Sequence, residues 1–194
     1  MATQTRPYIA PDVYLALERA APHKSEYHDG EIVAMAGASR RHNLIVANLV
    51  RLLGNALLDR DCNVYPSDLR VRTAKGDLYT YPDVTITCGE ERFEDGHADT
   101  LLTPLLLIEV LSESTEGYDR GKKFEHYQRI SSLKEYMLVA QDRCRAEQFV
   151  RQQDGRWIYS EAHRQEDVIL LSSIACDVAL KEVYAKVRLE EASR

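Results

Sequence analysis

A carboxylate interrupts the most apolar stretch of the chain. Residues 105–112 read LLLIEVLS, and Glu109 lies near the centre of this run. Such a run is typical of a central strand covered on both faces, where burying an unpaired charge costs several kcal/mol. Glu109 must therefore be neutral, bound to a metal ion or paired with a cation, and a structural salt bridge to an arginine is the simplest of these alternatives.

A second carboxylate, Asp83, follows a proline in the segment TYPDVTI. Pro82 lacks a backbone donor and favours extended geometry in the residue before it, which predicts a strand edge or a bulge at this point. Strand alternation places Val84 and Ile86 on one face and Asp83 on the other, so Asp83 need not belong to the apolar core. Asp83 is therefore a candidate site residue, and the alternative is a surface aspartate at a strand kink.

A lysine accompanies these carboxylates on a helix predicted at about 119–130. Helical spacing places Lys123 on the apolar stripe with Tyr127 and Ile130. Because this helix follows the strand with Glu109, its lysine could reach the end of that strand, and snorkelling to solvent is the alternative. Two carboxylates and an inward lysine suit a metal-dependent phosphodiesterase, since the carboxylates hold Mg²⁺ or Mn²⁺ and the ammonium orients the nucleophile or helps to deprotonate it.

Hydrophobic periodicity predicts the remaining helices and strands. In chain order they are a helix at 11–22, a strand at 32–35 that enters the main sheet, a helix at 39–59 with Ser39 as its N-cap, a hairpin of strands 63–73 and 78–87, a strand at 135–140, a hairpin at 145–151 and 157–159, and a helical tail at 183–189. A chain of 194 residues with this pattern predicts a single α/β domain, with a mixed central β-sheet flanked by α-helices.

Charge and composition narrow the function classes. The net charge of −6 argues against nonspecific coating of nucleic acid, but it does not exclude a nuclease, whose metal site is itself acidic. The chain has neither the roughly 20 apolar residues of a membrane span nor a secretory signal, so we expect a cytoplasmic protein with no membrane association. The four cysteines form no CxxC pair and are expected to be reduced; they are Cys62, Cys88, Cys144 and Cys176.

Five segments together carry a family resemblance. They are EYHDGEIVAMAGAS with the following RRH, YPDV at 81–84, IEVLSEST at 108–115, the spacing of Asp119, Lys123 and Tyr127, and KEYMLVAQD at 134–142. In this order they resemble the PD-(D/E)XK nuclease superfamily and, within it, a bacterial family described as "putative restriction endonucleases", formerly a domain of unknown function. The resemblance runs from about residue 10 to residue 180.

The resemblance implies a restriction-endonuclease-like core at about 25–142, preceded by the N-terminal helix at about 11–22 and followed by a C-terminal hairpin and tail at about 143–194. It implies that Asp83 and Glu109 hold the metal ion together with the backbone carbonyl of Val110. The usual lysine position of the superfamily is occupied by Leu111, and the resemblance implies that Lys123 takes the catalytic role of that lysine.

Further candidates have less specific signals. Glu31 is a candidate extra metal ligand after the Asp-Gly turn, and His42 and Tyr127 are auxiliary candidates for which packing is the alternative role. Candidate phosphate contacts, each with a solvated surface position as the alternative, are Arg41, Arg70, Arg72, Arg120 and Lys122.

The expected function is a metal-dependent endonuclease that hydrolyses DNA phosphodiester bonds with Mg²⁺ or Mn²⁺ as cofactor. Double-strand cleavage would favour a symmetric homodimer, because one such site cuts one strand. The alternative is a catalytically silent nuclease fold that acts as a DNA- or partner-binding module, which the leucine at position 111 and the acidic net charge favour. A third alternative is a purely structural ion pair between Glu109 and Lys123.

Overall fold

The computed structural model describes residues 7–73 and 75–189. The helices are α1 (Pro11–Ala20), α2 (Arg40–Ala56), α3 (Glu116–Tyr118), α4 (Phe124–Tyr127) and α5 (Leu180–Val183), with a π-helical turn at Asp119–Lys123 between α3 and α4. The strands are β1 (Ser25–His28), β2 (Glu31–Ala34), β3 (Cys62–Pro66), β4 (Arg70–Arg72), β5 (Leu78–Thr80), β6 (Val84–Cys88), β7 (Thr100–Leu101), β8 (Leu106–Leu111), β9 (Glu135–Ala140), β10 (Ala146–Arg151), β11 (Trp157–Ala162), β12 (Val168–Leu171) and β13 (Cys176–Ala179).

A six-stranded mixed sheet forms the centre of the fold. Its strand order is β11-β10-β9-β8-β6-β3, in which β8 and β9 are parallel and the other neighbours are antiparallel. Every residue of β8 is buried, as the apolar run predicts. Ile108 and Val110 pack with α2 on one face of this strand. Leu107 and Leu111 pack with α4 on the other face, so the side chain of Glu109 lies on the α4 side.

A five-stranded sheet lies beside it, in the order β2-β1-β5-β4-β7. Tyr14 of α1 packs against Tyr27 and Tyr79 on this sheet. The strand predicted at 32–35 is therefore wrongly assigned to the main sheet, because β2 pairs with β1 in the five-stranded sheet. Its apolar residues gave no indication of which sheet it would join.

The hairpin predicted from strands 63–73 and 78–87 is divided between the two sheets. Its inner halves, β4 and β5, pair in the five-stranded sheet, and its outer halves, β3 and β6, pair in the six-stranded sheet. The two breaks fall after Pro66 and at Pro82, where a strand loses a backbone donor. Asp83 therefore lies where the chain passes from one sheet to the other.

The long helix begins where the sequence predicts, after Ser39, but α2 ends at Ala56, three residues before the predicted end at 59. The Ser39 hydroxyl accepts a hydrogen bond from the backbone N–H of His42 at 3.1 Å, which caps α2. The second predicted helix, at 119–130, begins earlier, at Glu116, ends earlier, at Tyr127, and contains the π-helical turn. The helical tail predicted at 183–189 is wrong, since α5 covers Leu180–Val183 after an unpredicted β12–β13 hairpin. Of the helices in the described part of the chain, none has the length and apolar character required to cross a bilayer.

One pair of cysteines is oxidised in the structure, contrary to the prediction of four reduced thiols. Cys62 and Cys88 form a disulfide, while Cys144 and Cys176 are free. The bonded cysteines lie directly opposite each other in the β3–β6 ladder. Because this pairing joins positions that are 26 residues apart, the absence of a local CxxC spacing could not exclude it.

Candidate functional site

The two carboxylates singled out in the sequence meet across neighbouring strands. In the β6–β8 ladder Val84 lies opposite Ile108, so continuing the register by one residue brings Asp83 opposite Glu109. The backbone N–H of Val110 donates to Oδ2 of Asp83 at 2.7 Å. Asp83 is thus fixed to the strand that carries Glu109.

Lys123 points into the protein and contacts this pair. Its Nζ lies 2.9 Å from Oε1 of Glu109, and the residue is 5% exposed. The same ammonium lies 3.4 Å from Oε1 of Glu26 and 3.5 Å from Oδ1 of Asp119. The inward orientation follows the predicted apolar stripe, and Lys123 does not snorkel to solvent.

Tyr127 holds Glu109 from the same helix. Its hydroxyl donates to Oε1 of Glu109 at 2.8 Å. Burial, reinforced by the charge of Glu109, raises the pKa of Tyr127 well above its usual range, so the hydroxyl keeps the proton that it donates. The π-helical turn ends at Lys123, and such turns recur at functional sites because they locally change which side chains share a face.

His42 also reaches the cluster, from the first turn of α2. Its Nε2 lies 3.1 Å from Oδ2 of Asp83. Because a carboxylate oxygen only accepts, Nε2 is the donor of this hydrogen bond. Nδ1 is buried and has no hydrogen-bond partner among the described residues.

Two carboxylates that sequence reasoning did not assign to the site, Glu26 and Asp119, complete the surroundings of Lys123. Glu26 accepts from the hydroxyl of Thr80 and lies 3.0 Å from Nε2 of His28. A local signal for Glu26 existed, because alternation along β1 turns it away from the buried Tyr27. Without knowledge of which sheet β1 joins, that signal did not say what Glu26 would contact.

The structure places two other predicted metal-ligand groups as follows. Glu31 begins β2, is exposed and lies opposite His28 in the β1–β2 ladder. In the β1–β2 hairpin, the carboxylate that contacts Lys123 belongs to Glu26. Val110 contributes its N–H to the cluster, through the hydrogen bond to Asp83. The metal-binding roles of Glu31 and of the Val110 carbonyl remain predictions.

The predicted phosphate contacts are scattered over the fold. Arg70, Arg72 and Arg120 each form an ion pair with a nearby carboxylate, and Arg70 is buried as well. Lys122 is exposed on the π-helical turn. Arg41 lines a cleft at the start of α2.

The cluster holds more negative than positive charge. Burial, reinforced by Asp119 and Asp83 and opposed by Lys123, raises the pKa of Glu109 to about 8. Burial likewise raises the pKa of Asp119 above its usual value. For Glu26 burial is outweighed by Lys123, His28 and Thr80, which lower its pKa to about 2.

Lys123 remains protonated in this environment. Despite the opposing effect of burial, the carboxylates Glu109, Glu26 and Asp119 and the Tyr127 hydroxyl raise its pKa well above the usual value. One ammonium therefore faces several acids, and the carboxyl of Glu109 favours its neutral form. An added cation beside Glu109 and Asp83 would remove that penalty.

Comparisons with known proteins give consistent matches. The model of the Uma2 family, described as "Putative restriction endonuclease", matches residues 11–181. An uncharacterized protein of Synechocystis sp. is 37% identical over 161 residues, which cover 83% of this chain and 91% of the relative. A second uncharacterized Synechocystis protein is 36% identical over 179 residues, or 92% of each chain.

A solved structure shares the fold. The crystal structure of a "putative nuclease belonging to DUF820" from Anabaena variabilis aligns with a TM-score of 0.74, and the alignment covers 91% of this chain and 98% of that chain. The sequence identity is 19%, so the likeness is one of architecture.

Proposed function

Because the chain belongs to the Uma2 family, described as "Putative restriction endonuclease", we propose that it is a metal-dependent endonuclease that hydrolyses DNA phosphodiester bonds. We propose Asp83, Glu109 and Lys123 as its catalytic residues. One observation carries the proposal: Asp83 and Glu109 meet across β6 and β8, and the ammonium of Lys123 lies 2.9 Å from the Glu109 carboxylate. Lys123 thereby takes the place of the superfamily lysine at position 111, where this chain has leucine.

The donor set fits Mg²⁺ or Mn²⁺. In residues 7–73 and 75–189 no three His, Cys, Asp or Glu side chains are already grouped as a ready-made cation site. Mg²⁺ does not require such a cage, because it keeps several waters and binds proteins through one or two carboxylates. The contacts with His42, Val110, Tyr127 and Lys123 engage Oδ2 of Asp83 and Oε1 of Glu109, and the two carboxylates supply the oxygen ligands that this ion prefers.

The residues around the carboxylates would keep them in position. Val110 and His42 orient Asp83, while Tyr127 and Lys123 orient Glu109. When bound, the metal ion would supply Lewis-acid stabilisation of the phosphate and lower the pKa of a water molecule. The Val110 carbonyl and Glu31 are its proposed additional ligands.

The protonated state of Lys123 favours one of its two predicted roles. An ammonium whose pKa lies well above the usual value is a poor general base at neutral pH. It can instead donate hydrogen bonds to the attacking water and to the phosphate oxygens, where negative charge develops in the transition state. We therefore propose that Lys123 orients and stabilises, and that it does not accept the proton of the water.

The proposal is tested by plasmid nicking together with calorimetric Mn²⁺ titration of the same samples. We expect the wild type to bind Mn²⁺ and to nick DNA only with metal, and Asp83→Asn to lose nicking by at least about 100-fold. Asp68→Asn is the matched control, because Asp68 is an exposed aspartate paired with Lys24. Equal nicking by Asp83→Asn and the wild type would refute the assignment of the site.

The second candidate function is the silent nuclease fold that binds DNA or a protein partner. Leu111 favours it, since the residue cannot replace the superfamily lysine chemically. This alternative would be supported if the wild type, with Lys123 intact, bound Mn²⁺ but nicked none of the DNA substrates tried. Metal-dependent nicking by the wild type that is lost in Lys123→Met would argue against this alternative.

A further inference from the structure

A cleft of about 670 Å³ opens beside the proposed catalytic cluster. Its walls come from the start of α2, from the ends of β8 and β9 and from the segment after α5. Asp83, Glu109 and Lys123 are not among its lining residues. The cleft is therefore a separate feature that adjoins the site.

Two elements connect the cleft to the carboxylates. On β8 the lining residue Leu111 lies two positions after Glu109 and on the same face, about 7 Å along the strand. On α2 the lining residue Arg40 lies two positions before His42, which contacts Asp83. The cleft therefore adjoins the two carboxylates along both β8 and α2.

The unpaired charges that line the cleft are mostly positive. Arg40, Lys186 and Arg188 line it, and none of the three forms an ion pair with a residue in the described ranges. Of the three acidic lining residues, Glu116 is neutralised by an arginine at 2.6 Å and Asp142 by an arginine at 3.1 Å. The third, Glu113, forms no ion pair within the described ranges, so three such cations face one such anion. A local excess of cations is notable on a chain whose net charge is −6.

The wall that carries Lys186 and Arg188 is fixed in place. The side chain of Asn48 on α2 donates to the carbonyls of Val183 and Ala185, at 2.9 Å each. The Tyr184 hydroxyl donates to the carbonyl of Ala140 at the end of β9, at 2.7 Å. Lys186 itself has a φ of +64°, which few residues other than glycine adopt. The cations are therefore presented by a backbone tied to the elements that carry the site.

We propose that this cleft binds the backbone phosphate of a nucleic-acid strand next to the phosphate that is cleaved, with Lys186, Arg188 and Arg40 as the phosphate contacts. Arginine and lysine are the side chains that most often hold phosphate oxygens and set the register of a bound strand. The proposal rests on the proposed nuclease function and adds the residues that position its substrate. Lys186 and Arg188 lie beyond residues 11–181, which the family model matches.

Binding of a short duplex DNA oligonucleotide, followed by fluorescence anisotropy in EDTA at several salt concentrations, tests the proposal without cleavage. We expect the double variant Lys186→Ala/Arg188→Ala to bind at least about tenfold more weakly, and its salt slope to fall by about 2, because each phosphate contact on duplex DNA contributes about 0.9. The matched control is Lys181→Ala/Arg164→Ala, which removes two exposed cations that do not line the cleft. Equal affinity and salt slope in the two double variants would overturn the proposal.

A second readout separates this proposal from the proposed function. Hydrolysis of bis(p-nitrophenyl) phosphate, which has no flanking phosphate, should be lost in Asp83→Asn, whereas Lys186→Ala/Arg188→Ala should slow the nicking of DNA by a much larger factor than the hydrolysis of this small ester. Weaker DNA binding by the cleft variant supports the cleft even if the wild type hydrolyses neither substrate, in which case the nuclease function alone fails. Unchanged DNA binding by the cleft variant refutes the cleft even if the wild type is an active nuclease.

Discussion

Replacing the Glu109 carboxylate with an amide of the same shape should stabilise the metal-free protein at mildly alkaline pH. Burial, with Asp119 and Asp83 adding and Lys123 opposing, raises the pKa of Glu109 from 4.5 to about 8. Each unit corresponds to about 1.4 kcal/mol, so ionising this carboxyl in the folded protein costs at most about 5 kcal/mol. Glu109→Gln removes that cost.

The variant does not leave Lys123 without partners. Glu26 and Asp119 remain within 3.4 and 3.5 Å of its ammonium. The pKa of about 8 already includes the attraction between Lys123 and Glu109. The amide brings N–H donors into a buried site, and a donor left without an acceptor costs about 1–3 kcal/mol. We therefore expect Glu109→Gln to exceed the wild type by about 1–3 kcal/mol in free energy of unfolding at pH 8 in EDTA.

The same shift sets the direction of the pH dependence. The folded protein keeps the proton of Glu109 up to a pH of about 8, whereas the unfolded chain releases it at a pKa of about 4.5. This contribution to stability is therefore fully present below about pH 4.5 and is lost as the pH rises through 8. The advantage of Glu109→Gln should accordingly be small at pH 5 and largest above pH 8.

Urea unfolding followed by the fluorescence of Trp157, the single tryptophan, measures this difference in EDTA and in Mn²⁺. Mn²⁺ should stabilise the wild type and leave Glu109→Gln almost unchanged. The control is Glu135→Gln, which alters a buried carboxylate held by Ser173 away from the site. If Glu109→Gln instead lost about 3–5 kcal/mol in EDTA at pH 8, Glu109 would be a structural partner of Lys123 and the reasoning would fail.

Other substitutions test the surroundings of the cluster. Tyr127→Phe removes the hydrogen bond to Glu109 and should cost about 1 kcal/mol in urea unfolding and slow nicking by about tenfold; an unchanged nicking rate would leave Tyr127 with packing alone. Glu26→Gln removes one charge that holds Lys123 and should lower the nicking rate about tenfold, with Glu26→Asp recovering part of it; equal rates in both variants and the wild type would contradict a positioning role. Cys62→Ser should lower stability by about 2–4 kcal/mol without affecting nicking, and a reducing agent should bring the wild type to the same value if the disulfide causes the difference.

Local patterns in the sequence were sufficient for the family, the fold class and the elements that carry the site. The family match and the fold of the solved structure confirm the predicted family and the α/β architecture. The apolar run with Glu109 became β8, and the residues 135–140 became β9 with the predicted bounds. Each of these features depends on contacts close in sequence or on a strong burial pattern, which a single chain displays directly.

The features that sequence reasoning missed depend on pairings between distant residues. Glu26 lies 97 positions before Lys123 and meets it because β1 joins the five-stranded sheet. The Cys62–Cys88 disulfide depends in the same way on the β3–β6 register. Alternation along a strand assigns a residue to a face, but it does not identify the strand or helix that covers the face.

Several expectations remain predictions that further measurements can test. They concern the division into a core at about 25–142 with a C-terminal hairpin and tail, the cytoplasmic location, the homodimer and the preference for DNA. Sedimentation velocity would test the dimer, and a comparison of DNA and RNA oligonucleotides in the binding assay would test the preference.

The position of Asp83 between two sheets has a consequence for how the protein acquires activity during folding. Glu26 comes from the five-stranded sheet and Glu109 from the six-stranded sheet, and both contact Lys123. Contacts between residues so far apart in sequence form late, because closing long loops is entropically unfavourable. A folding intermediate with only one of the sheets would lack part of this cluster, so the emerging chain would carry no competent site until both sheets had formed and packed together.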